Sequence, residues 1–137
     1  MVKIPEAKPE LIGEYTNLKD LRKKIQNFLF SKFTNKKIIN SETKYEVGFD
    51  KTGIKKLTSE SGIIKLKCLT AIKEIIETGT LFAVEDDKEK RKDILVWYKF
   101  KTKIKVNDSI YEYRFSVRQL KGDKIIYSAN IDVKKPL

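Results

Sequence analysis

The sequence of 137 residues contains no histidine, and this absence narrows the chemistry that the chain can perform. The imidazole that most often moves protons near neutral pH is missing, and zinc sites of the ordinary type lack their ligand set. A single cysteine, Cys68, excludes a disulfide within the chain, and its place in an apolar helical pattern indicates a structural thiol. The sequence therefore predicts neither a metal site nor a cofactor.

Segments that mark several other protein classes are also absent. No apolar run approaches the roughly 20 residues of a membrane-spanning helix, and the first ten residues lack the apolar stretch of a secretory signal. The sequence has no glycine-rich phosphate loop and no nucleophile elbow. We therefore expect no membrane association and none of the chemistry that those two motifs support.

Positive charge is what the chain has in abundance. Lys and Arg together number 30 against 19 Asp and Glu, which gives a net charge of +11. Such a charge attracts phosphate polymers or anionic membranes, although a lysine-rich, solvated surface is the plainer interpretation. The length and the hydrophobic fraction of 40% fit one folded domain. We predict an arm at residues 1–14 and a single domain at residues 15–137.

The cations are concentrated on one side of two predicted strands. In Ile94–Val106, apolar residues alternate with a second set that consists of Trp97, Lys99, Lys101, Lys103 and Lys105. The strand predicted at residues 109–119 places Glu112, Arg114 and Arg118 opposite to its own apolar side. Period-2 alternation is typical of half-buried antiparallel strands. The sequence therefore predicts a sheet with one face toward a core and a basic face outward.

The helical patterns lie mainly before these strands. A helix is predicted from a cap at Thr16 or Asn17 to about Phe33, and a short helix follows near residues 50–58. A longer helix opens at Ser61 or Gly62 and ends before Gly79, where we expect a left-handed cap. A strand at residues 125–133 closes the sheet. The predicted fold class is α+β, with N-terminal helices packed on a mainly antiparallel twisted sheet of about four strands.

Four local segments, taken in order, resemble one group of nucleases. They are GIKKLTS at 53–59, LTAIKEIIETG at 69–79, IKVNDSIYEYRFSVR at 104–118 and YS at 127–128. Over residues from about 35 to 132 they are similar to the BECR ribonucleases (barnase, EndoU, colicin and RelE-like), in the phage-associated and large-polyvalent-protein branch. The resemblance implies a metal-independent ribonuclease domain that serves as a toxin or effector and cuts tRNA, rRNA or mRNA lying across its sheet.

One departure from this branch keeps the function open. Its members often carry a histidine just after the short lysine-bearing helix, where this sequence has LTSES at 57–61. RelE-like members are similar in fold and work with Lys, Arg and Tyr instead. An endoribonuclease is therefore the first hypothesis, with action in a cytoplasm after delivery as an effector or with a phage. A non-catalytic nucleic-acid-binding domain of the same fold is the second, and a basic module that binds an acidic immunity or antitoxin protein is the third.

Metal-free cleavage of RNA requires a base for the 2′-hydroxyl, stabilisation of the phosphate charge and an acid for the leaving oxygen. Arg118 is the strongest candidate for the phosphate, because a guanidinium donates two parallel hydrogen bonds. The other catalytic candidates carry a titratable or hydroxyl group and are Lys55, Lys56, Glu112, Tyr127 and Ser128. Each has a plainer alternative, such as solvation for the lysines, a salt bridge for Glu112 and core packing for Tyr127.

The remaining candidates would contact RNA without taking part in the reaction, and they are Arg114, Lys99, Lys101, Lys103, Trp97 and Ser59. Arg114 shares a strand side with Arg118 but lies roughly 13 Å from it along the strand. The two arginines therefore cannot both bind one phosphate unless the length of their side chains bridges that distance. Trp97 fits base stacking beside cations, with cover for a second small core as the alternative.

Overall fold

A computed structural model describes residues 1–4, 14–86, 94–106, 108–120, 122 and 124–134, with the backbone alone for Glu60, Leu95 and residues 128–134. Within this part lie four helices, which are α1 (Leu18–Phe33), α2 (Lys51–Glu60), α3 (Ile63–Leu69) and α4 (Ile72–Thr78). The strands of the same residues are β1 (Val2–Lys3), β2 (Lys37–Ile39), β3 (Glu46–Gly48), β4 (Thr80–Asp86), β5 (Ile94–Val106), β6 (Ser109–Leu120) and β7 (Ile125–Lys134).

The seven strands form one mixed sheet that curls into a half-barrel. Its order is β1-β5-β6-β7-β3-β2, and β4 pairs with the same long strand β5 as β1 does. The pairs β1–β5 and β3–β7 are parallel, whereas the other described pairs are antiparallel. The sheet therefore joins the first strand of the chain and the last one into a single layer.

The predicted fold class, with about four mainly antiparallel strands, is wrong. Strands β1, β2 and β3 have only two or three residues each, and β1 is too short for an alternating pattern to be visible in the sequence. Two of them also pair in parallel with strands that lie far along the chain. Such pairing depends on long-range packing and leaves no local signal.

The core lies between the helices and one face of the sheet, and the predicted alternation of the long strands is confirmed. Phe100 and Ile104 on β5 and Tyr113 and Phe115 on β6 are at most 1% exposed. The rings of Phe100 and Phe115 stack with their centroids 5.2 Å apart. Burial of one such side chain contributes about 1.5–3 kcal/mol, so these strands are anchored chiefly by their apolar face.

Helix α1 agrees with its prediction at both ends. The Asn17 side chain caps the helix by accepting a hydrogen bond from the Asp20 backbone N–H at 2.9 Å. The spacing of Leu21, Ile25 and Leu29 places all three on one stripe of the helix, and none is exposed. This stripe fixes α1 against the core.

The long helix predicted to end before Gly79 is instead two helices, α3 and α4, separated at Thr70 and Ala71. The Thr70 hydroxyl donates to the carbonyl of Lys67 at 2.6 Å, a local bond that competes with helix continuation. Ser61 and Gly62 were the two predicted starting points. Gly62 is the N-cap of α3, whereas Ser61 is the C-cap of α2.

The predicted left-handed cap at Gly79 is also wrong, because its backbone is extended with φ −61°. The reason for glycine there is steric. A Cβ at this position would lie 2.8 Å from Cζ of Phe115, which is closer than real Cβ contacts. Gly79 therefore allows the end of α4 to approach the aromatic core.

The segment predicted as an arm begins with core residues. Val2 pairs in register with Ile104, and Val2 and Ile4 are 3% and 9% exposed. Residues 5–13 of that segment lie outside the described part. The first four residues thus add a short parallel strand at the edge of β5.

A buried asparagine fixes the loop between β2 and β3. The amide of Asn40 donates to the carbonyls of Ile76 and Gly79, both at 2.8 Å, and its oxygen accepts from the backbone N–H and the hydroxyl of Thr43, both at 2.9 Å. Because the side chain is 1% exposed, these four bonds satisfy groups that water does not reach. The loop is therefore tied to the end of α4.

Candidate nucleic-acid interface

The side of the sheet opposite to the core is called the outer face here. In strands β4–β6 it carries a mixture of cations, acids and aromatic rings, namely Phe82, Glu85, Trp97, Lys99, Lys101, Lys103, Lys105, Glu112, Arg114 and Arg118. The cations that the sequence predicted to share one strand side therefore lie together on this face. Its other strands extend the same surface toward β2.

One row of residues in register crosses the outer face from β4 to β2. In spatial order it is Glu85, Trp97, Arg118, Ile126, Gly48 and Lys37, and we call it the central row. Neighbouring strands lie about 4.8 Å apart, so this row spans about 24 Å. Arg118 stands third from the β4 end, which puts one guanidinium near the middle of the sheet.

Arg118 joins the sheet to the beginning of α2. Its Nη2 donates to Oδ2 of Asp50 at 3.0 Å, and the other carboxylate oxygen of Asp50 accepts from the backbone N–H of Gly53 at 2.6 Å. Asp50 is the N-cap of α2. At this position a carboxylate accepts hydrogen bonds from the first backbone N–H groups and interacts favourably with the helix dipole. One carboxylate thus orients the predicted arginine and fixes the helix that carries Lys55 and Lys56.

Asp50 was not among the predicted site residues. Its sequence context, Asp-Lys-Thr-Gly, indicates a turn that leads into a helix, and that prediction is confirmed. The contact with Arg118 connects positions 68 residues apart. The local signal for the cap was therefore present, but nothing local could connect it with β6.

A second arginine forms a cluster four residues earlier on β6. The Nε of Arg114 contacts Oε2 of Glu112 at 2.8 Å, and both side chains are about one-third exposed. The Arg114 guanidinium also lies 5.2 Å from the ring centroid of Phe82, and the Lys101 ammonium lies 5.7 Å from the same centroid. Distances below about 6 Å allow a cation–π interaction. Two cations therefore lie near one exposed ring.

Phe82 was missed because aromatic residues in strands are usually core residues. It is 38% exposed, and β4 changes register with β5 between Leu81 and Ala83. The irregularity therefore occurs at Phe82 itself. A bulge of this type redirects a side chain, and a single sequence gives no reliable sign of it.

The lysines of β5 are interleaved with acidic neighbours, which reduces their mutual repulsion. Lys99 contacts Glu85 with an Nζ–Oε2 distance of 2.8 Å, and Lys103 lies opposite Glu112 in the register of β5 and β6. Lys101 and Lys103 are exposed. Their ammonium groups therefore meet solvent, where a polyanion would approach.

Residues 16–127 match the model of a protein family described as large polyvalent protein-associated domain 3. The chain belongs to this family. The match covers the four described helices and the strands from β2 to β6, and it ends within β7. The large-polyvalent-protein part of the resemblance is thereby confirmed. No curated protein and no solved structure matches the chain.

Several predicted catalytic residues of this large polyvalent protein-associated domain lie away from the outer face. Tyr127 is 2% exposed, and its hydroxyl lies 2.8 Å from that of Tyr113. Burial raises the pKa of Tyr127 above its ordinary value. Its ring stacks on Phe115 in the core, with centroids 5.6 Å apart. The tyrosine therefore packs in the core, as its plainer alternative expected.

The helix α2 holds three other candidates. Lys55, Lys56 and Ser59 are exposed, and the Ser59 hydroxyl donates to the carbonyl of Lys56 at 3.0 Å. The side chain of Ser128 lies outside the described part of the chain. The structure therefore brings Arg114, Arg118 and Glu112 onto one strand, with the two lysines on a helix that begins at the Arg118–Asp50 contact.

The single thiol is structural in this fold. Cys68 is fully buried on α3, and burial raises its pKa from 9.0 to about 12. A thiol that stays protonated is a weak nucleophile and a weak metal ligand.

Among the residues described, no group of three acidic, cysteine or histidine side chains is arranged to hold a metal. No helix of the same residues is both long and apolar enough to span a bilayer.

Proposed function

We propose that this domain is a metal-independent endoribonuclease that serves as a toxin or effector and cleaves RNA across the outer face of its sheet. The observation that carries the proposal is the Glu112–Arg114 pair on the same strand as Arg118, among exposed cations and the ring of Phe82. This arrangement offers a carboxylate base, phosphate donors and a stacking surface together. The sequence resemblance to BECR ribonucleases supports the same chemistry.

In the proposed reaction, the 2′-oxygen of a ribose attacks the adjacent phosphorus while its proton passes to Glu112. Arg114 donates hydrogen bonds to the phosphate oxygens as negative charge develops on them. The bond between phosphorus and the 5′-oxygen then breaks, and the leaving oxygen takes a proton from Lys103, the cross-strand neighbour of Glu112. The products are a 2′,3′-cyclic phosphate and a 5′-hydroxyl.

Arg118 holds a neighbouring phosphate in this proposal. It lies roughly 13 Å from Arg114 along β6, too far for both to bind one phosphate. Its partner Asp50 keeps the guanidinium in place from α2. Trp97, opposite Arg118 in the central row, and Phe82, beside Arg114, offer rings on which bases can stack.

The test is incubation of labelled single-stranded RNA with the purified protein in EDTA. We expect products with 2′,3′-cyclic phosphate ends, and a loss of rate of about 100-fold or more in Glu112→Gln, because positioned acid–base groups contribute about 10²–10⁴-fold. Lys73→Ala is the control, since Lys73 is an exposed cation on α4. Equal rates for Glu112→Gln and the wild type would remove Glu112 from the mechanism, and intact RNA would remove the activity.

A non-catalytic RNA-binding domain is the second candidate, and one observation favours it. Both arginines of β6 are engaged by carboxylates, Arg114 by Glu112 and Arg118 by Asp50. A carboxylate base has to leave its ion pair before it takes a proton. Under this alternative the RNA stays intact and binds with an affinity that falls steeply as salt rises.

The basic outer face is also the surface on which we propose that a neutralising protein would bind. A partner with an acidic surface would complement the lysines of β5 and exclude RNA from them. An RNA substrate would place the action of the domain in a cytoplasm. Competition between a candidate acidic protein and labelled RNA for the purified domain tests whether the protein binds this face.

A further inference from the structure

A groove of about 670 Å³ lies at the β2 end of the sheet. Its walls come from the residues before β2, from the loop between β2 and β3, and from the beginning of β7. Its volume falls within the roughly 300–1,000 Å³ of small-molecule sites. None of its residues was predicted to belong to a site, because β2, β3 and β7 meet only in the folded sheet.

The groove lies on the outer face and continues the central row. Lys37, Gly48 and Ile126 belong both to the row and to the groove lining. Lys37 is three strands away from Arg118, which corresponds to about 14 Å. A few nucleotides of single-stranded RNA span that distance, so one strand of RNA reaches both places.

The chemistry of the groove fits a nucleotide. Four exposed lysines line it against one acidic residue, Glu46, and these are Lys36, Lys37, Lys44 and Lys124. Its apolar lining includes Ile39, which is 52% exposed, and the partly exposed Ile126. The ring of Phe49, by contrast, stacks on Tyr127 toward the core. Ammonium groups bind phosphate, whereas branched aliphatic side chains pack against the apolar face of a base.

The floor is open at Gly48 because this residue has no side chain. A Cβ built there would meet its nearest atoms, the carbonyl oxygen of Ile125 and Cδ1 of Ile126, at 3.8 Å, an ordinary contact distance. A methyl group is therefore tolerated, and a longer side chain would extend into the groove from the outer face. This position allows the volume of the groove to be changed without any change of charge.

The groove is held in one shape by its backbone. Asn35 and Lys44 have positive φ angles of 62° and 65°, which non-glycine residues adopt rarely. The backbone N–H of Lys44 donates to the carbonyl of Asn40 at 2.9 Å, and the side chain of Asn40 is the buried tie to α4. Strained residues persist where the surrounding structure determines them, and they concentrate at functional sites.

We propose that this groove is a nucleotide subsite for single-stranded RNA, with the base against Ile39 and Ile126 and the adjacent phosphates on Lys37 and Lys44. The inference rests on the proposed function, because it places in the groove the part of the RNA that continues beyond Arg118. The substrate is then a single strand that lies along the central row. A duplex presents no unstacked base to such a site.

The test uses a fluorescent 12-nucleotide oligouridine with 2′-O-methyl groups, which removes the 2′-hydroxyl nucleophile and leaves binding alone to be measured by anisotropy. We expect Lys37→Ala/Lys44→Ala and Gly48→Leu each to weaken binding at least tenfold. The matched control is Lys19→Ala/Lys73→Ala, which removes the same charge from exposed positions on α1 and α4, and it should change binding less than twofold. If Gly48→Leu does not fold, the lysine variant still tests the proposal, because both of its substitutions are at exposed positions.

The outcomes separate this inference from the proposed function. Wild-type affinity in both groove variants, with weakened binding in Arg118→Ala, would overturn the groove subsite and leave the outer face as the RNA surface. Weakened binding in the groove variants, with unmodified RNA left intact by the wild type, would support the subsite and overturn the nuclease. Unchanged affinity in Gly48→Leu, if the variant is folded, would also overturn the subsite, because the groove would then be filled without effect.

Discussion

Arg118 in the central row of the sheet and Asp50 at the start of α2 form an ion pair of 3.0 Å across 68 residues of sequence. The same carboxylate caps α2 through the Gly53 N–H at 2.6 Å. Asp50 therefore has two roles. It stabilises the end of α2, and it offsets the charge of Arg118, a candidate phosphate-binding residue. Substitutions of Asp50 can separate them.

The isosteric change Asp50→Asn keeps an oxygen for the Gly53 N–H and removes the charge beside Arg118. We expect it to tighten RNA binding severalfold at low salt and to steepen the salt dependence by up to about one phosphate contact. Asp50→Ala should bind RNA similarly but lose about 0.5–2 kcal/mol of unfolding free energy with the cap. Anisotropy titrations and urea unfolding measure the two effects. Weaker RNA binding in Asp50→Asn would mean that Asp50 orients Arg118 more than it offsets its charge.

Phe82 and Val84 give a matched pair of exposed apolar residues on β4, at 38% and 56% exposure. The ring of Phe82 lies beside Arg114 and Lys101 on the outer face, whereas Val84 is in register with Tyr98. Phe82→Ala should weaken binding of single-stranded RNA about 5–150-fold, because one stacked base contributes about 1–3 kcal/mol. Val84→Ala should leave the affinity within twofold. Equal effects of the two substitutions would show that no base stacks on Phe82.

The long strands were predictable because their signal is local and periodic. Alternation placed Lys99, Lys101 and Arg118 on one side, and the register of β5 and β6 has them there. The groove was not predictable, because Lys37 and Ile126 come together only through a parallel pairing of β3 with β7. Local patterns thus specified which side chains share one face of a strand. They contain no information on the long-range pairing that places two distant strands side by side.

Asp50 at the start of α2 combines one contact that the sequence predicts with another that it does not predict. An aspartate before a helical pattern predicts an N-cap from chemistry alone, and Asp50 is one. Its ion pair with Arg118 depends on where β6 passes in the folded sheet. Candidate residues chosen by type and spacing were therefore incomplete wherever a partner came from a distant element.

Gly79 and Gly62 test whether packing or backbone freedom requires glycine. A Cβ at Gly79 would meet the Phe115 ring at 2.8 Å, whereas a Cβ at Gly62 has no described atom within 4 Å. Gly79→Ala should lower the unfolding free energy by about 1–3 kcal/mol through overpacking, and Gly62→Ala by less than about 1 kcal/mol. Urea denaturation of the two variants is the measurement. A neutral Gly79→Ala would show that the end of α4 moves away from Phe115 without loss.

Tyr127→Phe distinguishes a core tyrosine from a catalytic one. The substitution removes one hydroxyl of the buried pair with Tyr113 and keeps the ring that stacks on Phe115. We expect a loss of about 1–3 kcal/mol in unfolding free energy, because a buried hydroxyl loses a partner, and an RNA cleavage rate within twofold of the wild type. A large loss of rate at unchanged stability would return Tyr127 to the reaction.

Cys68 makes the stability of the domain fall at alkaline pH. Burial raises the thiol pKa from 9.0 to about 12 in the folded protein, so above pH 9 the unfolded chain releases a proton that the folded chain retains. The unfolded state then binds fewer protons, and the free energy of unfolding decreases as pH rises. Between pH 8 and pH 10 the loss from this thiol is about 1.4 kcal/mol, since one pKa unit corresponds to about 1.36 kcal/mol. Cys68→Ala should lack that part of the decline in urea unfolding under reducing conditions, and an identical pH profile in both proteins would show that the thiol ionises in the folded state.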